Sequence, residues 1–178
     1  MSDAENEAHA RPDGIGEEHE APRTGWRQHA SPLSLVVFGS VLALGMAGVL
    51  GHERDWVAQE SGATLRLHAP ETIRNGEFFE TRITVEATEA IDELVIGVDQ
   101  ALWEDMTVNT MIPAATEEVS EDGEFRFVFG ALEAGSVFEL KVDLQVNPDI
   151  LGGNAGRVTL YDGGEEIAAI DMDVSVLP

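Results

Sequence analysis

The chain has no cysteine and a single lysine, Lys141, and among its 178 residues it carries one tyrosine and three tryptophans. Without thiols there are no disulfides, no thiolate metal sites, no cysteine nucleophile and no lipoprotein anchor, which needs a cysteine. Basic residues are scarce, 10 against 34 acidic ones, for a net charge of −24. Phosphates are bound by Lys and Arg, so this balance argues against nucleic acid and against an anionic lipid surface as partners. Net charge speaks to solubility more than to activity, and a GC-rich genome or a salt-adapted proteome produces the same bias. Also missing are a Gly-rich phosphate loop, a nucleophile elbow and an HExxH pair.

Long apolar runs are absent with one exception. Residues Leu33 to Leu50 read LSLVVFGSVLALGMAGVL, with no charge and with serine as the only polar type. Pro32 and Gly51 extend the run to about the 20 residues that roughly 30 Å of hydrocarbon requires at 1.5 Å per residue. Residues 32–51 are therefore expected to cross the lipid bilayer as a single helix. Arg23 and Arg27 precede the span and Arg54 follows it. Positive residues stay inside, which places the N-terminus in the cytoplasm and the C-terminal part outside the cell membrane. Trp26 and Trp56 flank the span where indole rings favour headgroups. A cleaved signal would have an apolar region of about 7–15 residues behind a short basic start. This run is longer and follows a mostly acidic stretch, so a retained anchor is expected. Ala43 and Ala47 give the helix a small-xxx-small face that suits docking on another membrane protein.

Residues 1–31 hold almost no large apolar side chain and are read as a disordered cytoplasmic tail, because they cannot bury enough surface to offset ordering. His9, His19 and His29 in that tail are read as solvated. Residues 52–63 are read as a juxtamembrane linker.

From residue 64 to residue 178 the sequence alternates at period two. Leu65 and Leu67 share one face, as do Phe79, Thr81, Ile83 and Val85; then come Leu94, Ile96 and Val98, and Met106, Val108, Thr110 and Ile112. Phe125, Phe127 and Phe129 follow, then Phe138 to Val146, Val158 with Leu160, and Ile170 to Val176. Eight half-buried strands are expected. Between them lie Arg74-Asn75-Gly76, Ser120-Glu121-Asp122-Gly123, Glu133-Ala134-Gly135 and Asp162-Gly163-Gly164, whose Asn-Gly and Asp-Gly steps supply the positive φ of hairpin turns. Gln100 to Asp105 is expected to form one helical turn. The fold class is all-β, an immunoglobulin-like antiparallel β-sandwich preceded by one transmembrane helix and a disordered tail.

The opening strand followed by HAPETIRNGEFFETRITVEA, with its Pro, turn Gly and long amphipathic strand, resembles the bacterial immunoglobulin-like domains of surface and envelope proteins over residues 64–100. That resemblance implies a binding or structural module. It transfers no site residue, since the family has no shared active site.

No catalytic residue, metal ligand or cofactor is assigned, and the chain is expected not to be an enzyme. His52 and His68 are the only histidines beyond the tail, and His68 is read as a strand residue facing solvent or a neighbouring loop. An enzyme would need a carboxylate pair drawn from Glu104, Asp105 or Asp149. Asn147, Asp149 and Asn154, and Asp162, Glu165 and Glu166, offer oxygen ligands for calcium but lack ordered EF-hand spacing. An extracytoplasmic ligand- or calcium-sensing module is the alternative function. The leading expectation is a non-enzymatic accessory or scaffold protein that binds another integral membrane or envelope protein. Its partner-binding patch is expected at Trp103, with Met111, Ile112, Ile150 and Leu151 placed at loops.

Overall fold

A computed structural model describes residues 26–48, 51–147 and 152–177. The chain divides into two units, Met1–Ala47 and Gly48–Pro178. In the first, helix α1 runs over Trp26–Met46 with Pro32 inside it. Helix α1 thus begins six residues ahead of the expected start at residue 32, in the polar sequence WRQHAS. Among the described residues no helix is long and apolar enough to cross a membrane. The expected tail to residue 25 and the last residues of the apolar run, Val49 and Leu50, lie outside the described residues.

Among the described residues the second unit is a mostly antiparallel β-sandwich of eleven strands: β1 (Glu53–Gln59), β2 (Ala63–Pro70), β3 (Thr72–Arg74), β4 (Phe78–Ala87), β5 (Ile91–Asp99), β6 (Met106–Ile112), β7 (Glu117–Glu121), β8 (Glu124–Leu132), β9 (Val137–Val146), β10 (Asn154–Asp162) and β11 (Glu165–Leu177). One sheet has the order β1-β2-β4-β9-β6 and the other β3-β11-β10-β5-β8-β7. The β3–β11 pair is parallel and the other pairs are antiparallel.

The core sits between the sheets because alternate residues of each central strand are apolar and pleating sends them to one side. Leu65, Leu67, Ile83, Val85, Leu140 and Leu144 from one sheet meet Leu94, Ile96, Val98 and Leu160 from the other, all fully buried. Outward positions of the first sheet carry paired charges such as Arg66–Glu86 at 3.0 Å and Arg82–Glu80 at 2.6 Å. Pairs this exposed contribute little to stability.

Three expectations are corrected. The linker assigned to residues 52–63 contains β1, which pairs with β2 from Glu53↔Pro70 to Gln59↔Thr64. Trp56 lies in β1 and packs against the core, with the Arg54 guanidinium 5.2 Å over its ring, so it is a sandwich residue and not a headgroup anchor. Eight strands become eleven among the described residues: the additional β1, β3 and β7 are edge strands, β1 turning only Trp56 and Ala58 toward the core, β3 being three residues long and β7 having no buried residue.

On β2 and β1, His68 and Asp55 are cross-strand partners. Their side chains meet at 2.8 Å through Nδ1, while Nε2 lies 3.2 Å from Glu53. The hydrogen bond to Asp55 raises the His68 pKa above 6.5, burial opposes the rise, and Glu53 assists it. A raised folded pKa stabilises the fold fully below the unfolded value of 6.5 and loses that contribution as pH climbs through the folded value. Asp55→Asn is expected to lower the His68 titration midpoint and flatten the fall in stability above pH 6.5. Ring-proton NMR titration and thermal unfolding across pH test this, and an unchanged midpoint in Asp55→Asn rejects the pairing.

Candidate functional site

The sandwich is lipped by edge strands, β6 in one sheet and β7 in the other. Between them is an apolar groove of about 380 Å³, lined by Trp103, Val108, Met111, Phe125 and Phe127 together with Glu118, Val119 and Ser120 of β7.

Trp103 reaches the groove through the tight turn after β5. Leu102 N–H donates to the Asp99 carbonyl and Trp103 N–H to the Gln100 carbonyl, so the expected helical turn appears as two consecutive three-residue closures. Asn154 locks the turn from β10, its side-chain amide donating to the carbonyls of Leu102 at 3.3 Å and Glu104 at 2.6 Å. Gly156 lets the turn come close: a Cβ there would lie 2.8 Å from the Leu102 Cβ. Held in this way, the Trp103 ring lies with its centroid 6.4 Å from Phe125 and 5.7 Å from Phe127. Trp103 belongs to the core and also forms the groove floor.

A β-bulge in β6 decides which residues turn inward. Val108 pairs with Leu144, but the register then shifts, and Thr110 pairs with Asp143 and Met111 with Val142. The extra residue moves the inward position from Thr110 to Met111. Ile112 consequently stands opposite Lys141 on the outer face and is exposed. Met111 and Ile112 are strand residues and not loop residues, and the structure brings Met111 to Trp103 while turning Ile112 away. Ile150 and Leu151 lie outside the described residues.

Val108, Phe125 and Phe127 belong to the groove through strand alternation that is legible in the sequence, although the sequence does not associate them with Trp103. Glu118 and Ser120 carry no such signal, because EEVSE shows no apolar period.

Polar side chains proposed for calcium have other work. Asn147 Oδ1 accepts from the Thr107 hydroxyl at 3.1 Å, Asp162 Oδ1 accepts from the Glu93 N–H at 2.9 Å, and Asn154 is committed to the Trp103 turn. Asp149 is outside the described residues. Among the described residues no group of three or more His, Cys, Asp or Glu side chains is placed to hold a metal ion.

No family model matches the chain, and neither does any curated protein. Among solved structures it is similar to the chitin-binding domain of a chitinase from Pyrococcus furiosus, with 15% identity, 66% of this chain and 97% of that one covered, and a TM-score of 0.38. It is also similar to a non-cellulosomal cohesin from Archaeoglobus fulgidus, with 11% identity, 62% and 88% covered, and a TM-score of 0.41. Values this low say nothing of ligand, partner or activity.

Proposed function

We propose that the chain is a membrane-anchored, non-enzymatic accessory or scaffold protein whose extracytoplasmic, immunoglobulin-like β-sandwich binds another envelope or membrane protein. The observation that carries this reading is an apolar groove between two edge strands of an otherwise acidic domain, floored by the nearly buried Trp103 and Phe127 and the half-buried Phe125. Aromatic-lined concavities of this kind are where protein surfaces concentrate binding energy. Support for the anchor comes from the uncharged sequence 33–50 and from the exposure of Leu35, Val36, Phe38 and Leu42 along α1, side chains that favour hydrocarbon over water.

A photo-crosslinking amino acid at Met111 in native membranes is expected to capture one discrete protein neighbour, whereas the same group at Glu139, on the outer face of β9, captures none. Recovery of monomer alone from both positions would overturn the reading. In the same cells an impermeant thiol reagent is expected to label Glu89→Cys and spare Ala10→Cys. The reverse pattern would invert the topology.

A further inference from the structure

Among the described residues strand β7 is the outermost strand of its sheet and pairs only with β8, and all five of its residues are exposed. The β7–β8 hairpin closes through Asp122 and Gly123, with φ of 51° and 84°, which is the two-residue turn with both centres left-handed. Such a turn makes Glu121 and Glu124 a hydrogen-bonded pair, and the alternation along an antiparallel ladder then makes Val119 and Arg126 the next one. Glu118 and Ser120, the residues in between, point their backbone N–H and C=O groups away from β8. These two residues also stand opposite Phe127 and Phe125, so their side chains face the groove.

We propose that β7 accepts an extended, basic polypeptide segment as an added strand. The inference rests on the binding reading above and specifies the partner's chemistry. The added strand hydrogen-bonds to Glu118 and Ser120, sends apolar residues over Trp103 and Phe125, and presents basic residues to Glu117 and Glu121 on the outer side.

Charge selects the occupant. Glu117 and Glu118 have no cationic partner among the described residues, and Glu121 is 4.0 Å from Arg126. A second copy is disfavoured: antiparallel pairing of two β7 strands about Val119 sets Glu117 against Glu121 at both ends, and like charges directly opposite destabilise a sheet. The acidic edge therefore repels its own kind, as protected edges do, and attracts a basic strand.

The test uses the full-length protein in phosphatidylcholine nanodiscs and a short synthetic peptide alternating lysine and valine. Fluorescence anisotropy is expected to show binding that weakens with salt. N-methylation of the peptide nitrogens that face β7 is expected to weaken it by about tenfold or more, since the ladder bonds are lost. Ser120→Pro removes one outward donor at a position where an edge strand tolerates proline, and it is expected to weaken binding by a similar factor in a protein that still folds, with thermal unfolding lowered only slightly by loss of the Gln100 Nε2 to Ser120 Oγ hydrogen bond. The same peptide with glutamate in place of lysine is expected not to bind the native protein, and to gain over the lysine peptide in the double variant Glu117→Lys, Glu121→Lys. Equal binding of the N-methylated peptide, or native affinity in a folded Ser120→Pro protein, overturns strand addition. No binding of the lysine peptide overturns it as well. If Met111 still crosslinks to a single neighbour in membranes, the binding reading survives that failure; if that capture is absent too, both fall.

Discussion

Trp103→Ala is expected to lower the stability of the β-sandwich by about 3–5 kcal/mol, the usual cost of truncating a large buried aromatic. Trp103 is 9% exposed and packs on Phe125 and Phe127, and the turn that carries it is held by Asn154. Its removal costs the transfer free energy of the indole and leaves a cavity that those anchored neighbours do not collapse to fill. Trp103→Phe keeps an aromatic ring in the same space and is expected to cost less than half as much. Urea unfolding of the full-length protein in detergent, followed by far-ultraviolet circular dichroism, checks both. A loss below about 1 kcal/mol for the alanine variant would mean that Trp103 is a surface residue and not part of the core. Because one side chain serves both core and groove, loss of binding in Trp103→Ala does not separate the two roles, so the proposed tests use Met111 and Ser120.

The second large effect is a reversal. Glu124 is a buried carboxylate on the outer face of β8, accepting from Arg126 Nε at 2.7 Å and from the Tyr161 hydroxyl at 3.1 Å. It lies across Gly97 of β5, where any Cβ would overlap the Glu124 carboxylate. Burial, and then the Glu124 charge, raise the Tyr161 pKa above 10.0. Gly97→Ala is expected to cost about 1–3 kcal/mol by pushing the carboxylate off its partners. Glu124→Ala is expected to cost about 1.5–3 kcal/mol through loss of charge-assisted hydrogen bonds, the partly exposed Arg126 recovering some of it from water. Combined, the two changes are expected to cost less than their sum by about 1 kcal/mol or more, because the new methyl occupies the space that the carboxylate vacates. Denaturant midpoints of the four proteins close the cycle, and strict additivity would show that Gly97 is not there to admit Glu124.

How legible the molecule is from its sequence depends on where each residue sits in the sheets. Thr81, Ile83 and Val85 are buried as their alternation requires, and Gly76, Gly123 and Gly163 take positive φ in the turns their Asn-Gly and Asp-Gly steps signal. A strand buried on one side must alternate, so its own sequence reports its face. β7 escapes such reading because none of its residues is buried, β1 because only Trp56 and Ala58 turn toward the core, and β3 because three residues are too few to show a period. In β6 the alternation Met106, Val108, Thr110, Ile112 is present, yet the bulge after Val108 sends Met111 inward instead.

The sequence by itself determined the absence of thiol chemistry, the acidic surface, the central strands with their inward faces, and the hairpin turns, each set by residue type or by neighbours a few positions away. Only the tertiary structure decided that Trp103, Met111 and Phe127 line one groove, that Ile112 turns from it, that Glu124 rests on Gly97, and that β7 leaves an acidic ladder edge open. These features join residues distant in sequence, and they depend on strand order and register, which a local period of two does not specify.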